Sequence, residues 1–188
     1  HNDNILNHIQ TSYTRNLQNK THFANIVARH DINGQRTIIY NELSKYCDIL
    51  SPGLFKNNRP EIGPNNEDKI RYISQGIFNI CPENSKGEGY CTEKIFQALE
   101  AGTIPIYWGE SNPEPFIINM NKYCFCDIEN LNHQIAHVYN NKQEYIDGPV
   151  FKEDAHVHIR NFYDSFSNAL NGILKHNNCW VQNVFLIF

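Results

Sequence analysis

The sequence predicts an α/β fold in which a parallel sheet carries helices on both faces. Apolar runs at 23–27 (FANIV), 76–81 (GIFNIC) and 103–108 (TIPIYW) have the length and polar boundaries of buried strands. The first two runs each lead through a turn-rich stretch into a helical period, and this alternation builds parallel sheets. The 188 residues, 40% of them hydrophobic, suffice for one buried core in one domain or a little more, which excludes a disordered chain. The net charge of −4 is spread over both signs without a basic block, so no nucleic-acid surface is expected.

In chain order, Ile5, Ile9, Tyr13 and Leu17 recur at four-residue spacing and predict an amphipathic packing helix over 3–18. We treat 1–22 as a helical segment packing on a domain that occupies 23–188. After the strand at 23–27, the turn Asp31-Ile32-Asn33-Gly34 supplies cap chemistry for a helix over 35–46. A short strand is expected at 48–50, followed by a long loop over 51–66 rich in Pro, Gly and Asn, of the kind that often serves as a lid. A helix over 67–74 precedes the strand at 76–81.

Next comes the most distinctive stretch, CPENSKGEGYCTEKIFQALEAGTIPIYWG, over 81–109. It reads as a loop with Gly87 and Gly89, a helix over 92–101 and a strand over 103–108. Glycines allow positive φ and close approach of a ligand. A loop that enters a helix aims free backbone N–H groups and the positive end of the helix dipole at one place, which suits a phosphate. Thr92 is placed to cap this helix, with Glu93 and Lys94 in its first turn. A lysine there opposes the dipole, so an anionic ligand explains it better than helix stability does. Arg36 stands in the same relation to the preceding helix, and His30 is one turn earlier.

Further on, Ser111-Asn112-Pro113 opens an expected short helix through Ile118, with Pro at an acceptable first-turn position. A strand is expected at 123–128 and short helices at 131–139 and 142–146. The clearest helical period covers 158–175 and sets Ile159, Phe162, Tyr163, Phe166, Leu170, Ile173 and Leu174 on one side, as a core-packing stripe. The apolar tail at 181–188 is expected to pack on a neighbouring domain or on this domain's own surface.

Six cysteines, at 47, 81, 91, 124, 126 and 179, include no CxxC pair, and Cys124-x-Cys126 is too tight for ordinary zinc ligation. Reduced, mostly buried thiols are the expectation, and with them a cytoplasmic-type compartment. Asn19-Lys20-Thr21 matches a glycosylation sequon, one match in an Asn-rich chain whose Asn content reads as coding bias. The sequence has no apolar run long enough to span a bilayer. It begins at His1 without an initiator Met, so a preceding segment, with an anchor or a further domain, is expected.

The strings Pro82-Glu83-Asn84-Ser85, Gly89-Tyr90-Cys91-Thr92-Glu93-Lys94-Ile95 and Ile104-Pro105-Ile106-Tyr107-Trp108-Gly109 resemble the donor-binding signature of the α1,3-fucosyltransferase family, closer to its bacterial-type members than to the animal Golgi enzymes. Arg36 with the following Tyr40-Asn41-Glu42-Leu43-Ser44-Lys45-Tyr46 resembles the same family's preceding helix, and the likeness covers roughly 23–128. The resemblance implies a Rossmann-like unit that is the C-terminal half of a GT-B glycosyltransferase, binding GDP-fucose without an obligatory metal or cofactor. It implies that Arg36 and Lys94 hold the diphosphate, that Asn84 and Tyr90 contact the donor with help from the N–H groups near Thr92, and that Glu93 meets the sugar or ribose or steadies developing positive charge. Catalysis would then rest on Arg36, Glu93 and Lys94, in transfer of L-fucose to a hydroxyl of an acceptor glycan with inversion. The family's catalytic Glu belongs to an N-terminal domain for which this chain has no matching segment. The chain is therefore expected to be a piece of a complete enzyme, located in the Golgi if eukaryotic, or a non-catalytic GDP-sugar binding or regulatory module.

Overall fold

Five strands, β1 (His22–Asn25), β2 (Ile49–Leu50), β3 (Gly76–Ile80), β4 (Ile104–Tyr107) and β5 (Cys124–Phe125), form one sheet of order β2-β1-β3-β4-β5 in a computed structural model that describes residues 2–18 and 20–176. Every strand pairing is parallel. From β1 the chain moves outward to β2 and then returns to the opposite side of β1 as β3. The loops leaving β1 and β3 therefore diverge and open a crevice at their carboxyl ends, where ligands bind in sheets of this kind.

Among the described residues, seven α-helices accompany the sheet: α1 (Asn2–Asn16), α2 (Gln35–Leu43), α3 (Asn66–Ile73), α4 (Glu93–Glu100), α5 (Leu131–Asn140), α6 (Lys142–Ile146) and α7 (Ala155–His176). One core cluster joins Ile39 and Leu43 of α2 and Leu131, Ile135 and Val138 of α5 to Phe78, Ile104 and Ile106 of the sheet. The other joins Leu6, Ile9 and Tyr13 of α1 and Ile95, Ala98 and Leu99 of α4 to Tyr107. Each fully buried Ile or Leu contributes roughly 1.5–3 kcal/mol through removal from water. No helix among the described residues is long and apolar enough to cross a membrane.

Among the buried polar residues, two are paired within the sheet itself. Asn25 and Asn79 are register partners on β1 and β3, and both are buried. Asn79 Nδ2 donates to Asn25 Oδ1 at 2.6 Å, while Asn25 Nδ2 donates to the Ile73 carbonyl at 2.9 Å. These hydrogen bonds give both buried amides a partner and tie together the two strands that flank the crevice. A Cβ at Gly76 would lie 2.4 Å from Asn25 Nδ2, so the absence of a side chain there makes room for the pair.

α4 ends in a Schellman motif, with Thr103 N donating to Ala98 O at 3.1 Å and Gly102 N to Leu99 O at 2.8 Å. Gly102 takes the required left-handed conformation, with φ +64°.

The structure corrects three expectations. α1 buries Leu6 instead of Ile5, which is 60% exposed, because the buried face follows spacings of three and four residues and not four alone. Residues 113–117 form bends and turns and Ile118 bridges to Phe151, so no helix forms there: Pro115 disfavours helical geometry at Glu114, whose φ is +49°. The stripe on α7 is not a core stripe along its length. Ala155 is buried and Ile159 half-buried, but Phe162, Tyr163, Phe166 and Ile173 are exposed. The period records a helix with an apolar face, whereas the described partner, α1, meets only part of it. Asn19, Cys179, the tail at 181–188 and the side chain of Leu174 lie outside the described residues.

Candidate functional site

The crevice between the β1 and β3 ends is a cleft of about 350 Å³ whose wall includes His30, Arg36, Lys69, Asn84, Glu93 and Lys94. Four segments supply them: the loop and helix after β1, α3, the loop after β3, and the first turn of α4. The two cations singled out in the sequence, 58 positions apart by number, thus share one wall.

Arg36 is placed by the turn before α2. Asp31 accepts from the backbone N–H groups of Arg36 at 3.1 Å and Thr37 at 2.8 Å, so a carboxylate closes the helix start. Although its partial burial opposes ionisation, these bonds and the nearby Arg36 guanidinium hold its pKa below the ordinary value. Gly34 adopts φ +79° at the N-cap, a conformation suited to glycine. The Arg36 guanidinium donates to Asn84 Oδ1 at 2.8 Å and to the His30 carbonyl at 2.6 Å. Asn33 Nδ2 also donates to the Asn84 carbonyl at 2.7 Å, which stitches the two loops together.

Lys94 is held differently. Its ammonium lies 2.7 Å from Glu83 Oε2 and 2.8 Å from Thr92 Oγ1. The Glu83 side chain is fully buried, and its carboxylate also accepts from Thr92 N at 2.8 Å and from Thr92 Oγ1 at 2.7 Å. Glu83 N donates to the Trp108 carbonyl at 2.8 Å, and a Cβ at Gly109 would lie 3.0 Å from Glu83 Cγ. The glycine after Tyr107-Trp108 thus leaves space for this carboxylate. Its negative charge beside the N-terminus of α4 offsets both the helix dipole and Lys94.

That network revises two sequence readings. Lys94 needs no ligand to account for its place in the first turn, because Glu83 is its counter-ion. Thr92 is the N-cap by position but makes no side-chain cap bond to the helix, and its own N–H is taken by Glu83. Glu93 is exposed on the cleft wall. Its burial is slight, and its own backbone N–H with Lys94 and Lys69 nearby holds its pKa below the ordinary value, so it is anionic at neutral pH.

Of the six residues expected to bind a ligand, Arg36, Asn84, Glu93 and Lys94 line the cleft, Thr92 supports it from behind, and Tyr90 is 37% exposed outside its wall. Gly89 uses its freedom, at φ +69°, whereas Gly87 has no positive φ. Lys69 and Asn79 were not picked out from sequence, because an isolated Lys in a helix and an Asn in a strand carry no local signal. The cleft holds Arg29, Arg36, Lys69 and Lys94 against Glu93, with Glu83 behind Lys94. With Asp31 beside Arg36 also counted, one positive charge remains in a chain whose net charge is −4. The five described cysteines are free thiols, of which Cys81, Cys124 and Cys126 are buried.

Among solved structures, a crystal structure of an α1,3-fucosyltransferase with GDP-fucose superposes with a TM-score of 0.60 at 23% identity, over 83% of this chain and 52% of that one. Among curated proteins, the α-(1,3)-fucosyltransferase FucT of Helicobacter pylori is 33% identical over 134 residues, covering 68% of this chain and 27% of that protein. The 4-galactosyl-N-acetylglucosaminide 3-alpha-L-fucosyltransferase 9 of Mus musculus is 28% identical over 136 residues, covering 69% of this chain and 36% of that protein. The chain thus spans between about a quarter and about half the length of these relatives. The family model for the C-terminal part of glycosyltransferase family 10 (fucosyltransferase) matches residues 17–167, and the chain belongs to that family.

Proposed function

We propose that this chain is the donor-binding part of an inverting fucosyltransferase that moves L-fucose from GDP-fucose to a hydroxyl of an acceptor glycan. The observation that carries the proposal is the convergence of Arg36 and Lys94 on one cleft with surplus positive charge, at the point where the strand order reverses. A nucleoside diphosphate has the matching charge. As the bond to the sugar breaks, the departing diphosphate gains negative charge and the sugar gains positive charge. Fixed cations stabilise the first, so Arg36 and Lys94 lower the barrier without an obligatory metal. The anionic Glu93 on the same wall is suited to a sugar or ribose hydroxyl, or to the positive charge on the ring. Asn84 orients Arg36, whose guanidinium donates to its Oδ1 at 2.8 Å, whereas Tyr90 lies outside the cleft wall.

An inverting transfer also needs a general base at the acceptor hydroxyl. Glu83 is unsuited to that role, since its carboxylate is buried and engaged by Thr92 and Lys94. The base, and with it the acceptor site, would then come from outside this chain. Titration calorimetry with GDP tests the reading. Binding to the wild-type chain is expected, with Arg36→Ala and Lys94→Ala each weakening it by about 1–3 kcal/mol, as for charge-assisted bonds, and with EDTA leaving it unchanged. Absence of GDP binding at millimolar concentration, or unaltered binding by both variants, refutes it.

A further inference from the structure

Arg29 and Lys69 are the cleft cations whose roles are still unexplained; Arg29 is exposed, whereas Lys69 is partly buried. Lys69 rises from α3, and its Nζ donates to Gln97 Oε1 on α4 at 2.6 Å. Gln97 is buried, and its amide nitrogen is 3.5 Å from Asn66 Oδ1. Lys69 also borders a second concavity of about 340 Å³ under the long loop, lined by Pro52, Leu54, Ile62 and Pro64. The two hollows share Val27, Ala28, Arg29 and Lys69, so Lys69 stands on the divide between them.

We propose that Lys69 is a third cationic contact for the nucleoside diphosphate, resting on Gln97 and passing to a phosphate oxygen when the ligand enters. The proposal rests on the donor-binding reading above and adds a residue and a movement to it. Three observations favour it. Lys94 has a carboxylate partner and Arg36 is fastened by two oxygens of the facing loops, whereas Lys69 is bonded to a neutral amide. Exchanging that bond for one to a phosphate oxygen gains a charge-assisted contact, and the flexible lysine stem permits the swing. The position between two hollows means that a ligand with its phosphates at Arg36 and Lys94 and its nucleoside toward the loop would pass beside Nζ. Burial, with Lys94 adding to it and Glu93 opposing, also lowers the pKa of Lys69, as expected of a cation short of counter-charge.

Calorimetry of GDP binding to the 188-residue chain tests this, with the fold of each variant checked by circular dichroism and urea unfolding. Lys69→Met is expected to weaken GDP binding about tenfold and Lys69→Arg to restore most of the loss, as for one charge-assisted bond. Gln97→Glu, which gives Nζ a competing carboxylate, is expected to weaken binding without removing the lysine. An approaching phosphate raises the lowered pKa of Lys69, so binding on the alkaline side of neutral is expected to take up protons, and this uptake should shrink in Lys69→Met. A purely structural lysine would not alter proton uptake. Unchanged affinity and uptake in Lys69→Met overturn the proposal while leaving the donor-binding reading intact. Failure of the wild-type chain to bind GDP overturns both. If Lys69→Met does not fold, Gln97→Glu decides, and unchanged affinity there counts against the proposal.

Discussion

Replacing Glu83 with Gln separates a structural counter-ion from a catalytic base. Glu83 is fully buried, and its carboxylate meets the Lys94 ammonium at 2.7 Å and the backbone N–H and hydroxyl of Thr92. Removing one member of a buried ion pair costs about 3–5 kcal/mol, because the other charge is left without compensation. Gln keeps an acceptor for Thr92, and the Lys94 side chain retains 19% exposure through which water can partly solvate it. The expected loss is accordingly about 2–4 kcal/mol, a large share of the roughly 5–15 kcal/mol that stabilises an ordinary domain. Urea unfolding followed by circular dichroism gives the value directly, provided the slope of the transition is unchanged. Because the lost partner frees Lys94, GDP affinity should hold or increase even as stability falls. A Glu83→Gln chain as stable as wild type would refute the counter-ion argument. Under the proposed function, loss of transferase activity with stability and GDP binding intact would do the same.

Gly102→Ala should destabilise the chain by about 2–3 kcal/mol, combining the cost of a left-handed non-glycine residue with a close backbone contact. The added Cβ would sit 2.8 Å from the Tyr13 carbonyl at φ +64°, and thermal or urea unfolding checks the result. Asn79→Ala strips the buried Asn25 Oδ1 of its 2.6 Å donor and should cost about 1–3 kcal/mol in the same assay. Burial lowers the pKa of Lys20 from 10.5 to about 8. Between those values the unfolded chain holds more protons than the folded one, so this group's contribution to stability rises with pH. The unfolding free energy of wild type minus that of Lys20→Met should therefore be flat below about pH 8 and climb toward 10.5, and parallel curves would contradict it.

Apart from the helix expected at 113–118, the alternation of strands and helices was legible from residue 22 to residue 146, because apolar runs and helical periods are local properties. The turn at 31–34 and the signature loop were legible for the same reason, since glycine and cap chemistry act over a few positions. Asn25 and Asn79 show where such reading stops. In sequence they look like part of a general excess of Asn, and only strand pairing turns them into a bonded couple. Glu83 and Lys69 show the same limit, since an ionisable side chain has no fixed meaning until its neighbours are known.

By itself the sequence determined the fold class and the family likeness, and it singled out Arg36 and Lys94, the two cations that share the cleft wall. Each follows from residue type and spacing along the chain. The tertiary structure decided that Lys94 is already paired, that Lys69 joins the cleft, and that most of α7 leaves its apolar side exposed. Those outcomes depend on which segments become neighbours across the reversal of strand order. Counter-ions, burial and uncovered faces arise from contacts between distant positions, and no short stretch of chain encodes them alone.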